Sequence, residues 1–66
     1  MTQKTIKFID ATEQGEGVVI LQASKDRVGV CFSLASDGDI EVFLSPKDAI
    51  FVAEAILEFA RVAMSS

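Results

Sequence analysis

The stretch "SPKDAIFVAEAILEFARVAM", residues 45–64, predicts a C-terminal helix that decides the fold. Ser45 is a favourable N-cap residue, and Pro46 suits the first helical position because its missing N–H is not needed there. Asp48 completes a Ser-x-x-Asp variant of the capping box and also suits the positive end of the helix dipole. The stretch therefore predicts a helix that is capped at Ser45.

Polar residues occupy only a narrow stripe of this helix. At about 100° per residue the stripe is about 60° wide, and about 260° of the circumference is left largely apolar. A helix that lies on a sheet needs an apolar arc of roughly 100° or somewhat more. The helix therefore carries more apolar surface than its own sheet requires. The stripe consists of Lys47, Glu54, Glu58, Arg61 and Ser65.

The apolar arc divides into two seams. The first seam has the three-and-four spacing of a heptad a/d line and is our candidate oligomer interface: Ile50, Ala53, Leu57, Ala60 and Met64. The second seam is formed by Val52, Ala55, Phe59 and Val62 and is widened by Phe51 and Ile56. We expect the second seam to fill the sheet core with its rings, while the alanines of the first seam let two helices approach closely.

Three explanations of the extra apolar surface remain open. The curvature of the helix and the twist of its own sheet leave only a modest exposed patch, a second copy covers the first seam, or a different protein covers it. Contiguous exposed apolar surface beyond a few hundred Å² usually marks an interaction site. We favour the second copy and expect a symmetric homodimer or a higher homo-oligomer.

Four strands are predicted before the helix. They are expected at residues 5–11, 18–23, 28–34 and 40–44, where apolar and β-branched residues alternate or run together. Asp37-Gly38 between two apolar runs indicates a hairpin, and residues 12–17 are expected to form a turn in which Gly15 and Gly17 are free to take positive φ. Short connections favour a four-stranded antiparallel meander with the helix packed on it. We predict one small α+β domain of order ββββα over residues 1–66.

Size and composition also favour association. A chain of 66 residues, half of them hydrophobic, is long enough for one domain but marginal in stability by itself. Small domains are usually stabilised by disulfides, a metal or association. A single cysteine, Cys31, excludes an internal disulfide, and without histidine we expect no metal site. Association is the remaining source of stability.

The charge and hydropathy patterns argue against several locations and partners. The net charge is −4, which argues against nucleic acid and anionic membranes as partners. No apolar run reaches the length of a membrane span, and residues 2–10 do not resemble a signal peptide. A single unpaired cysteine fits a reducing compartment. We expect a cytoplasmic protein.

Catalytic signals are weak. Histidine, the most frequent general acid or base, is absent, and Cys31 lies on a predicted inner strand, where a buried structural thiol is expected. The carboxylates all fit turns, a helix cap or solvated faces. We therefore expect no enzyme and no cofactor, and a minor carboxylate enzyme is kept only as a third hypothesis.

Acidic residues are expected to gather at one end of the meander. The turn around residues 12–17 and the turn around residues 35–39 lie at the same end of such a sheet, and charged turns are common in any protein. A more specific hypothesis is an acidic docking rim for a basic protein partner, which would bind in a salt-sensitive way. The rim consists of Asp10, Glu13, Glu16, Asp37 and Asp39.

The order ββββα resembles the single-stranded DNA-binding fold of the transcriptional-coactivator and Whirly type, which often dimerises through its helices. That resemblance in element order implies a single-stranded nucleic-acid binder as the alternative function. Such proteins use basic grooves with aromatic platforms, and here only Phe43 is expected to point outward. Our leading hypothesis is a non-enzymatic, self-associating binding or regulatory module, similar in size and acidity to phage and mobile-element accessory proteins.

Overall fold

The structure, a computed structural model, describes residues 2–66. Four strands form one antiparallel sheet in the order β1-β2-β3-β4, and one helix follows. The predicted α+β class, the antiparallel meander and the C-terminal helix packed on the sheet are thereby confirmed. The elements are β1 Thr2–Ile9, β2 Glu16–Ser24, β3 Arg27–Leu34, β4 Gly38–Leu44 and α1 Pro46–Met64.

The turns differ in one respect from the prediction. In the β1–β2 connection the positive φ belongs to Gln14, at 65°, and neither Gly15 nor Gly17 uses its freedom to adopt one. In the β3–β4 hairpin Gly38 has a φ of 85°, as the Asp37-Gly38 signal indicates.

Gly17 is required for space and not for its backbone conformation. A Cβ at this position would lie 2.6 Å from Cζ of Phe8 and 2.9 Å from Cδ2 of Leu34. The missing side chain lets the Phe8 ring reach across β2, and its centroid lies 6.2 Å from that of Phe32 in an edge-to-face arrangement. These contacts join β1, β2 and β3 on one side of the sheet.

The strand register sorts the side chains into two faces, because directly opposite residues of an antiparallel pair project to the same side. The apolar face carries Ile6, Phe8, Val19, Leu21, Val28, Val30, Phe32, Leu34, Ile40, Val42 and Leu44, with Ala23 and the polar Thr2 and Lys4 at the start of β1. The mixed face carries Thr5, Lys7, Ile9, Val18, Ile20, Gln22, Cys31, Ser33, Asp39, Glu41 and Phe43. The predicted alternation of β3 and β4 is confirmed by this register.

The helix begins as predicted. The hydroxyl of Ser45 accepts a hydrogen bond from the backbone N–H of Asp48 at 3.1 Å, and Pro46 is the first helical residue. The helix ends at Met64, where the backbone N–H of Ser65 donates to the carbonyl of Arg61 at 3.1 Å. Both ends are therefore satisfied by local contacts.

The packing of α1 on the sheet is slight. The helix contacts β3 and β4, and Ala49 is the only helical residue that is even half-buried. Phe51 and Phe59 are each 70% exposed, so the expectation that the second seam fills the sheet core is wrong for the single chain. Neither seam of the helix is buried.

Candidate association surface and acidic end

The described part of the chain has no buried hydrophobic side chain. Within residues 2–66 only Gly17 and Gly29 are buried, and the apolar face of the sheet is half-buried or exposed along its length. Phe32 at the middle of that face is 45% exposed, and Ile40 on the edge strand β4 is 65% exposed. Half of the residues are hydrophobic, yet the single chain does not enclose a core with them.

The total solvent-accessible surface shows how far the single chain is from a compact monomer. The chain exposes 5578 Å². A compact monomer of its mass, 7.1 kDa, is expected to expose about 4,100 Å², so about 1,500 Å² is uncovered in excess. The radius of gyration of 13.2 Å also exceeds the roughly 11 Å expected for 66 residues. The chain is therefore more open than a self-sufficient domain of this length.

The structure leaves every residue of the candidate oligomer interface accessible. Ile50, Leu57 and Met64 are exposed large apolar residues, and Ala53 and Ala60 are exposed between them on the same side of α1. The second seam is equally open. Sequence reasoning identified the helical surface but missed the apolar face of the sheet, because it assigned the helix to cover that face.

The acidic residues lie at one end of the sheet, as the meander requires. Asp10 and Glu13 belong to the β1–β2 turn, Glu16 begins β2, and Asp37 and Asp39 flank the start of β4. The two connections meet where the backbone N–H of Ala35 donates to the carbonyl of Glu16 at 3.2 Å. The topology therefore brings the five carboxylates to the same end.

Two of these carboxylates also have local structural roles. Oδ1 of Asp10 accepts hydrogen bonds from the backbone N–H of Thr12 at 2.8 Å and of Glu13 at 3.1 Å. These bonds, that from Glu13 first, lower the pKa of Asp10 below its usual value because they stabilise the ionised form. The hydroxyl of Ser33 donates to Oδ1 of Asp39 at 2.7 Å.

None of the five acids of this end is in an ion pair within residues 2–66. The ion pair found there joins Arg27 and Asp26 at 3.2 Å, in the turn at the opposite end of the sheet. The acidic end therefore presents charge that no described basic side chain neutralises by direct contact.

Cys31 lies on the mixed face, half-buried, opposite Ile20 in β2 and Glu41 in β4. Desolvation raises the pKa of its thiol, and the negative charges of Asp39 and Glu41 raise it further. A nucleophilic cysteine needs the opposite environment, with nearby positive charge or a base that favours the thiolate. The site of Cys31 is therefore poorly suited to nucleophilic chemistry.

The described region was also compared with the features of metal sites, ligand pockets and membrane-spanning helices. Residues 2–66 contain no group of three or more histidine, cysteine or acidic side chains arranged to hold a metal ion. An open groove of about 470 Å³ near the acidic end is lined by Lys7, Phe8, Glu16 and Ser33 among others. Over the same residues, no helix is both long and apolar enough to traverse a lipid bilayer.

Comparison with known proteins supplies no relative. The chain matches no model of a known protein family, no curated protein and no solved structure.

Proposed function

We propose that this protein is a non-enzymatic, self-associating binding or regulatory module whose fold is completed by a second copy. The observation that carries the proposal is the excess of about 1,500 Å² of uncovered surface over a compact monomer. Two copies that each bury this amount would share an interface of about 3,000 Å², which lies in the range of obligate homodimers. A homodimer is the simplest closed assembly.

The first seam of α1 is the helical part of this interface. Ala60→Glu places a carboxylate in the seam, and we expect it to dissociate or unfold the protein. Arg61→Glu introduces the same residue on the neighbouring polar stripe and serves as the matched control. It replaces the favourable interaction of Arg61 with the helix C-terminus by an unfavourable one, so we expect a cost of about 1–2 kcal/mol and no change in mass.

Light scattering at micromolar concentration tests the proposal directly. We expect twice the mass of one chain or more for the wild type and for Arg61→Glu, and loss of that mass or of helical circular dichroism for Ala60→Glu. A wild-type protein that is folded and monomeric under these conditions contradicts the proposal.

The acidic end is the proposed binding surface for a partner. Five carboxylates at one end, without direct basic partners in the described residues, favour a basic protein segment. A lysine- and arginine-rich peptide should bind the wild type and lose affinity as salt rises. Asp37 forms no described side-chain hydrogen bond, so Asp37→Asn should weaken binding without changing the fold, whereas Asp26→Asn at the opposite end should leave it unchanged.

Single-stranded nucleic-acid binding is the second candidate. It is favoured by the ββββα element order and by the ring of Phe43, which is 58% exposed on the mixed face. Asp39 and Glu41 share that face, and the net charge is −4, so electrostatics opposes it. Fluorescence anisotropy of a labelled oligothymidylate at physiological salt should show no binding, and tight binding would promote this candidate over the first.

The proposed module acts without catalysis, cofactor or metal, in the cytoplasm. The raised pKa of Cys31 supports the non-catalytic part of this proposal, because a protonated thiol is a poor nucleophile.

A further inference from the structure

We infer that the apolar face of the sheet is closed by two helices, one from each of two copies, that form a layer between the two sheets. This inference rests on the proposed self-association and specifies which surfaces of the second copy are used. In this arrangement the apolar face of each sheet is covered by helices. The two seams of each α1 contact two different sheets, one from each copy.

The dimensions of the sheet require more than one helix. Four strands spaced about 4.8 Å apart make a face about 19 Å wide. A helix with its side chains is about 10 Å wide and therefore covers about half of that face. Residues 2–66 form one helix, so α1 would leave about two strands of its own sheet uncovered even if it lay flat on them. A second helix of the same kind supplies the missing half.

The length of α1 also matches the length of the strands. The 19 residues of α1 span about 28 Å at 1.5 Å per residue. Strands of seven to nine residues span about 23–30 Å. A helix laid along the strands would therefore cover them from end to end without a large overhang.

The arrangement of residues around α1 fits a helix between two sheets. At 100° per residue, the first seam and the second seam are centred about 160° apart, and each lies roughly 90° from the polar stripe. Opposite seams would also suit a helix stacked between its own sheet and a partner helix, but that stack leaves about half of each apolar face uncovered. Opposite seams allow one sheet on each side, while Glu54, Glu58 and the rest of the stripe reach solvent.

The side of α1 opposite the polar stripe is left for the partner helix. Ala49, Ile56 and Ala63 lie on it, seven residues apart, so they form a line along the helix. Two alanines on this line let two helix axes approach closely. Ala49 is already half-buried against its own chain, so the exposed Ile56 and Ala63 are the positions of this line that the partner helix contacts.

An isotope-filtered NOE experiment on the wild-type protein tests the arrangement. A mixed assembly is prepared from ¹³C-labelled and unlabelled chains, so that only contacts between chains are detected. We expect cross-peaks between the first seam, at Leu57 and Met64, and the apolar face of the other chain, at Val30 and Val42. We also expect cross-peaks between the Ile56 and Ala63 methyl groups and the partner's helix.

Two matched substitutions test the same inference independently. Ile40 on the apolar face and Ile9 on the mixed face are isoleucines of edge strands, 65% and 57% exposed in the single chain. A single chain that kept both exposed would tolerate glutamate equally at either position. We expect Ile40→Glu to abolish the dimer at micromolar concentration, with at least a hundredfold weaker association, and Ile9→Glu to change it less than threefold.

The outcomes separate this inference from the proposed function. A dimer whose interchain contacts join only helix to helix, with Ile40→Glu still dimeric, overturns the inference and leaves self-association standing. A dimer in which both seams contact only the sheet of the same chain also overturns it. A monomeric wild type overturns both. If Ile40→Glu unfolds, the wild-type NOE contacts still decide between these arrangements.

Discussion

The two faces of the sheet are built by the same four strands but have different chemistry. On the apolar face Phe8 and Phe32 meet edge to face across Gly17, and Lys4, the charged residue of this face, lies two pairs away opposite Leu21. On the mixed face Cys31 lies among Asp39 and Glu41, whose charges act on its thiol. One face is suited to exclusion of water and the other to contact with it, although the single chain leaves both accessible.

This difference indicates where a folded assembly should be sensitive to substitution. If the apolar face is covered by a second copy, changes there should cost as much as changes in a protein core. Changes on the mixed face should cost what surface changes cost. The following predictions test that contrast in order of decreasing effect.

The largest effect is expected from removing an aromatic ring. Phe32→Ala on the apolar face should lower the free energy of unfolding by about 3 kcal/mol, as for a buried phenylalanine. Phe43→Ala on the mixed face should lower it by about 1 kcal/mol, because the ring is only partly removed from water. Urea denaturation at one fixed protein concentration measures both, and equal losses would contradict the contrast between the faces.

Adding a methyl group should have a smaller effect. Gly17→Ala places a Cβ within 2.6 Å of Cζ of Phe8, so the ring must move, and a covered face restricts that movement. We expect a loss of about 1–2 kcal/mol in unfolding free energy. Gly15→Ala is the control, because no atom lies within 4 Å of its added Cβ. A Gly17→Ala variant as stable as wild type would show that the apolar face has room to rearrange.

On the mixed face the expected change is in the pKa of the Cys31 thiol. Replacing Asp39 by Asn and Glu41 by Gln removes two of the charges that raise the pKa of Cys31, so that pKa should fall. The pH profile of alkylation by iodoacetamide should then shift to lower pH than in the wild type. Asp26→Asn, at the opposite end of the sheet, should leave the profile in place. An unshifted profile in the double variant would contradict a Coulombic cause.

The smallest effect concerns the acidic end. The pKa of Asp10 is lowered in the folded protein, so its stabilising effect is complete above its unfolded value, about 3.8. That effect is lost as the pH falls through the lower, folded pKa. Asp10→Asn removes this titration, and its melting temperature should fall less steeply than that of wild type below about pH 4. Parallel curves of melting temperature against pH for the two proteins would contradict a lowered pKa of Asp10 in the folded state.

Much of the sheet could be predicted from local signals. The alternation in "VGVCFSL", residues 28–34, gave both faces of β3, and Asp37-Gly38 gave the last hairpin. The N-cap at Ser45 was equally clear. β1 was placed too late, because its first residues Thr2, Gln3 and Lys4 are polar, and a strand at the edge of a sheet needs no apolar pattern to pair.

The relation between helix and sheet could not be predicted in the same way. It depends on contacts between distant parts of the chain, and the single chain satisfies few of them. The apolar excess of residues 45–64 favoured a covering partner for the helix, and the structure adds that the apolar face of the sheet is uncovered as well. Whether the first seam contacts a second copy stays a prediction. The position of the acidic end could be predicted from the sheet topology alone. The hydrogen bonds that Asp10 accepts within its own turn could not.

The uncovered apolar face has a consequence for the amount of protein that a cell must make. When two chains share one core, each tenfold dilution lowers the stability of the fold by about 1.4 kcal/mol. For a small domain that is a large part of its total stability. Newly made copies that find no partner would be open to proteolysis, so the protein would accumulate only above a threshold rate of synthesis. A higher concentration of the protein would thus stabilise its fold, as a bound ligand stabilises the fold of other proteins.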